Sequence, residues 1–110
     1  MSKLDDAVAK YTTHLEDSGI RVDAKLLRAV AKGLGPSIYG ADSKWVALSD
    51  PKEVDRVKKN FLVKKLGLKD TPRLDEGIAK AKEAYTKRQK YRAAFYYVLV
   101  KQFRKSKVYA

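Results

Sequence analysis

The 110-residue chain has no cysteine, one histidine, one tryptophan, one methionine and three prolines. Without thiols it can form no disulfide, zinc finger, iron–sulfur centre or thiol nucleophile, and a small disulfide-free domain suits the cytoplasm. One imidazole leaves little room for metal chemistry, and no metal ligand set or cofactor is expected. Long apolar runs are also missing: the longest, residues 93–100, falls well short of the roughly 20 residues a bilayer crossing needs. The first six residues lack the basic start and apolar stretch of a secretory signal, so neither export nor a transmembrane role is expected. No linker rich in Gly, Pro or Ser and no internal repeat interrupts the sequence, which reads as one domain over residues 1–110.

Charge of one sign dominates what is there. Lys and Arg number 25 against 13 Asp and Glu, a net charge of +12. The excess is uneven. Residues 1–51 hold seven bases and seven acids, leaving eighteen bases and six acids for residues 52–110. A neutral first half is joined to a strongly basic second half, whose self-repulsion a bound polyanion would relieve.

Apolar spacing predicts an all-α, compact bundle of four or five helices. Leu4, Val8, Tyr11 and Leu15 mark the first helix, with Ser2 as cap and Gly19 as stop. Asp23 opens a second through Leu26, Leu27, Val30 and Ala31, stopping at Gly33. A short helix around residues 41–48 would carry Trp45 and Val46. Asp50, Pro51 and Glu53 combine an N-cap, a first-turn proline and a capping glutamate to start a third long helix, which Gly67 closes. Pro72 opens another along Leu74, Ile78, Ala81 and Tyr85. The last begins near Thr86 or Lys87, and its all-round apolar stretch 93–100 marks it as the central helix. That stretch would also make a buried strand by propensity, but no partner strand is evident.

Lys87, Arg88, Lys90 and Arg92 form the densest basic cluster. At a helix start they gain nothing from the macrodipole, which suggests an intermolecular role such as phosphate binding; the alternative is a solvated lysine-rich surface. Lys101, Arg104, Lys105 and Lys107 form a secondary basic tail. Tyr85 and Tyr91 interleave with the first cluster as base-stacking residues do, although their places on apolar stripes favour the core. Tyr96 or Tyr97 is the better candidate for an amphipathic edge. Lys58 and Lys65 fall on the apolar arc of the third helix. Snorkelling stems explain this, as does a break near Asn60 that resets the helical phase; the functional alternative is an anion pocket. Gly33, Gly35 and Gly40 do not form a phosphate loop, because position 38 is Ile and Pro36 removes an amide. His14 has no catalytic partner at a recognisable spacing, and no catalytic residue is expected.

The segments KLDDAV (3–8) with Tyr11, LLRAVAKGLGPSIY (26–39), VKKNFLVKKLGL (57–68) and KYRAAFYYVLVK (90–101) resemble a small bacterial family known only as a helical domain of unknown function. The likeness spans nearly the whole chain and implies a stand-alone, mostly helical, cytoplasmic bacterial protein. It implies no activity, cofactor or site residue. Lys58 and Lys65 match paired lysines of that family, whereas the lysine-rich segment 80–92 departs from it.

Three functions fit. The first is a sequence-unspecific nucleic-acid-binding module, for DNA or RNA, acting through the basic clusters. The second is a protein-interaction module docking an acidic protein or, by weak self-association, the Asp5, Asp6, Glu16 and Asp17 side of another copy. The third is a small enzyme holding an anionic substrate at Lys58 and Lys65, which lacks an evident base or nucleophile.

Overall fold

In the computed structural model, which describes residues 2–109, the apolar run becomes the centre of the molecule. Helix α5 (Arg92–Gln102) buries every residue from Ala93 to Val100. The other helices pack around it: α1 (Lys3–Asp17), α2 (Ala24–Leu34), α3 (Pro51–Arg56) and α4 (Pro72–Ala84). The protein is therefore a compact, mostly helical bundle with five α-helices among its described residues. No helix among them is long and apolar enough to cross a membrane.

Local chemistry accounts for the ends. Ser2 and Asp5 exchange side chain and backbone hydrogen bonds in a capping box at α1. Asp23 caps α2 by accepting from the Leu26 amide, and Asp50 caps α3 by accepting from the Lys52 amide, with Pro51 at the first helical position. Helix α2 runs past Gly33 to Leu34. Gly35, at φ 69°, makes the left-handed exit instead.

Beyond α3 the chain continues as a π-helical segment, Val57–Lys65. Its wider winding shows in the bond from the Leu66 amide to the Phe61 carbonyl, five residues back, at 2.9 Å. This is the phase reset that the arc of Lys58 and Lys65 suggested. Val57, Phe61, Leu62 and Leu66 all remain buried through it.

Two expected elements differ. Residues 41–48 form no helix: turns bonded from Lys44 to Gly40 and from Trp45 to Asp42 lead into a two-residue strand, β1 (Trp45–Val46). It pairs antiparallel with β2 (Lys90–Tyr91), Trp45 opposite Tyr91 and Val46 opposite Lys90. The last helix accordingly starts at Arg92 and not at Thr86 or Lys87. Tyr85 leaves α4 in an extended conformation, and the Tyr91 amide donates to the Tyr85 hydroxyl at 3.1 Å, so residues 86–91 are spent on returning to β1. A partner this short has no alternating pattern to announce it.

Tyr96 and Tyr97, expected at an amphipathic edge, are both buried. Each phenol has an internal outlet instead. The Tyr97 hydroxyl accepts from the Asp23 amide at 2.8 Å and donates to the Arg21 carbonyl at 3.2 Å, and the Tyr96 hydroxyl accepts from Arg92 Nη1 at 3.1 Å.

Helix α4 crosses α5 closely at Gly77, where an added Cβ would lie 2.2 Å from Phe103 Cζ. Gly77→Ala therefore trades a helix-propensity gain for displacement of a ring. We expect a net loss of about 1–3 kcal/mol in a urea unfolding experiment; an unchanged midpoint would show that Phe103 moves aside freely.

Candidate nucleic-acid interface

The basic cluster 87–92 does not act as a unit. Arg88 is exposed and enters no ion pair among the described residues, while Lys87 bonds Asp17 on α1 at 3.0 Å. Lys90 turns back: its Nζ donates to the Lys87 carbonyl and sits 5.5 Å from the Tyr85 ring centre. Burial pushes its pKa down, and neighbouring Lys82 pushes in the same direction.

Arg92 is committed inward. Its Nε donates to the Ser43 carbonyl at 2.8 Å, Nη2 to the Trp45 carbonyl at 3.1 Å and Nη1 to Tyr96. Nη2 also lies 2.5 Å from Oε1 of buried Glu53. A guanidinium with this many internal partners positions the β1 loop, and it is not available to a ligand in the way the sequence suggested.

Lys101, Arg104, Lys105 and Lys107 lie at the far end of α5. Nine positions of helix separate Lys101 from Arg92 at the edge of the first cluster, roughly 14 Å. Lys58 and Lys65 do not converge on one pocket. Lys58 bonds Asp75 on α4 at 3.3 Å, whereas Lys65 holds its Nζ 5.2 Å from the Tyr109 ring centre. The π segment explains the separation: seven residues nearly complete two turns of α-helix, but not of a wider helix.

What the fold does bring together is a cation and aromatic surface drawn from both halves of the chain. Trp45 stacks on Tyr91 with ring centres 4.4 Å apart and planes 21° apart. On one side of this pair a groove of about 400 Å³ is lined by His14, Trp45, Lys87, Arg88 and Gln89. On the other a groove of about 330 Å³ is lined by Lys3, Asp6, Lys10, Tyr11, Tyr39, Lys44 and Tyr91 among others. Lys44 Nζ lies 5.3 Å from the Trp45 ring centre and Lys3 Nζ 6.0 Å from that of Tyr39. Tyr39 is 46% exposed.

The two grooves, joined through the Trp45–Tyr91 stack, thus hold five cations and the rings of Tyr39, Tyr91 and Trp45 between them, with Asp6 lining one and Asp17 paired to Lys87 of the other. Lys3, Lys10, Lys44, Tyr39 and Trp45 escaped the sequence reading because charge was counted by segment and they belong to the neutral half. The adjacent Lys44 and Trp45 were the local signal, a basic residue beside the lone indole.

Beneath the stack, Tyr85 accepts from the Tyr91 amide, and its hydroxyl lies 2.7 Å from His14 Nδ1. With the phenol donating, Nδ1 is the acceptor and the imidazole is neutral. Burial holds the His14 pKa below its usual 6.5, Lys87 lowers it further and Asp17 opposes them. A group whose folded pKa is depressed contributes stability above its unfolded pKa and loses it as pH falls through the folded value. Stability should therefore decline as pH drops below 6.5, and His14→Gln should flatten that slope in urea midpoints measured from about pH 7.5 to 5. An unaltered slope would place the titration elsewhere.

No curated protein matches the sequence. The family model described as a protein of unknown function, DUF2853, matches residues 10–107. The match takes in the described α-helices apart from the first seven residues of α1, and the chain belongs to the DUF2853 family.

Proposed function

We propose that the protein binds nucleic acid without sequence specificity, laying an unpaired strand across the two grooves that flank the Trp45–Tyr91 stack. The observation that supports this most is the pairing of cations with aromatic rings in two grooves joined by the Trp45–Tyr91 stack, since phosphates need the former and unpaired bases the latter. Lys3, Lys10, Lys44 and Arg88 are the phosphate contacts, with Lys87 shared with Asp17, and Tyr39 and Trp45 the stacking residues. No helix presents a row of base-reading side chains to a duplex groove, so specificity for sequence is not part of the proposal.

Trp45 is the only tryptophan, and its emission reports directly on the site. Titration with a mixed-sequence single-stranded oligonucleotide should quench it, with micromolar affinity at low salt and a log K that falls linearly with log salt. Absence of binding at low salt refutes the reading. Recovery of an acidic protein that survives nuclease treatment would replace it with a protein-docking role. Docking of a second copy has less to work with, because Asp5 already bonds Arg28 and Asp17 already bonds Lys87.

A further inference from the structure

A larger cleft, about 650 Å³, lies elsewhere, between the start of α4 and the end of α5. Arg73, Gly77 and Lys80 line it from one face of α4, Lys69 from the preceding connection, and Phe103 and Arg104 from the chain leaving α5. Phe103 packs directly over Gly77, where an added Cβ would lie 2.2 Å from its Cζ, and holds the two walls together. Gln102 Nε2 donates to the Gly77 carbonyl at 2.6 Å and fixes the floor.

The charge in this cleft is one-sided. Lys69, Arg73, Lys80 and Arg104 enter no ion pair among the described residues, and Glu76 is the one carboxylate among the lining residues. Asp75, next to it, is taken by Lys58. Four cations around a hollow repel one another unless an anion sits between them. Arg104 also holds a left-handed backbone, φ 56°, alone among the described non-glycine residues. It occupies the position after the α5 C-cap, where the Lys105 amide bonds the Val100 carbonyl and the Arg104 amide the Lys101 carbonyl. Glycine suits that position and arginine strains it.

We propose that the cleft is a binding site for a small organic phosphate carrying two or more negative charges. The size matches small-ligand sites, and Leu68, Leu74 and Phe103 offer an apolar wall beside the cations. Arg104 is placed as an anion clamp at the expense of a better helix exit. The cleft shares no lining residue with either groove beside the Trp45–Tyr91 stack, so it does not depend on the nucleic-acid reading.

Inorganic pyrophosphate, which has no base to stack, is the probe. Titrated into the protein and followed by amide chemical shifts, it should give saturable changes at Gly77, Phe103 and Arg104 and leave Trp45 emission unchanged. Arg104→Gly should weaken it about tenfold through loss of a charge-assisted contact. The same variant should melt about 3 °C higher, since it relieves the left-handed strain. A loss of affinity in a more stable protein cannot come from unfolding. Lys69→Gln with Lys80→Gln, both on exposed stems, should also weaken binding. No saturable shift by about 10 mM, or unchanged affinity in both variants, overturns the proposal. So does displacement of pyrophosphate by single-stranded oligonucleotide at equal phosphate concentration, which would make the cleft part of a backbone track.

Discussion

Arg92→Ala is expected to lower the free energy of unfolding by about 3–5 kcal/mol, a large fraction of the stability of a chain this size. The guanidinium touches α3, through Glu53, the β1 loop, through the Ser43 and Trp45 carbonyls, and α5, through Tyr96. Truncation removes these bonds and leaves the Glu53 carboxylate, only 7% exposed, without its nearest cation. Arg56, the other base near it, stands 3.4 Å away on an exposed stem. Glu53 Oε1 accepts no aligned hydrogen bond, so its compensation is the charge of Arg92 itself. Arg92→Lys should recover only part of the loss, because an ammonium cannot reach separate carbonyls with a planar fork. Replacing both Glu53 and Arg92 by Met should cost less than Arg92→Ala alone, because no charge is then stranded. Urea denaturation measures all three, and a loss under about 1 kcal/mol for Arg92→Ala would mean that the carboxylate finds water.

The second large effect concerns binding. Lys44→Glu combined with Arg88→Glu places an acid in each groove. Affinity for a single-stranded oligonucleotide should fall on the order of 100-fold at low salt, and the slope of log K against log salt should shrink by about 2. Neither side chain is fully buried, so circular dichroism should be unchanged. An equal double reversal at Lys101 and Lys107 is the control: measured at about 0.15 M salt, where the Debye length is about 8 Å, it should leave affinity within about threefold because those residues lie at the far end of α5. Equal losses from both pairs would point to diffuse attraction by the net charge and remove the reason to single out the grooves.

Helices were legible where their ends carry side chain chemistry of their own. Asp23, Asp50 with Pro51, and Ser2 with Asp5 each satisfy amides that any helix start exposes, so the caps could be read from single positions. The start of α5 could not. Its first turn has no capping side chain, and the residues before it are set by a strand whose first residue, Trp45, pairs with Tyr91. Arg92 was misread for the same reason: as a cation in a basic run it looks solvated, and only the fold supplies Glu53, Ser43 and Trp45 around it. The π segment was half legible. Lys58 and Lys65 on an apolar arc left a phase-resetting break near Asn60 open beside snorkelling stems, and said nothing of which way each side chain turns. The candidate interface was the least legible, since charge balance within each half says nothing about which residues of the neutral half face the cations of the other.

The stack of Trp45 on Tyr91 joins α1, the β1 turn and the approach to α5, so the grooves beside it are stitched from residues 14, 45 and 88. No peptide cut from the chain carries them, and local fraying of the β1–β2 clasp erases them. Any occupant recognises only the intact tertiary state and must therefore raise its melting temperature in proportion to the logarithm of free ligand. Heat denaturation in the presence of a compound library thus becomes a way to find the occupant without knowing its chemistry beforehand.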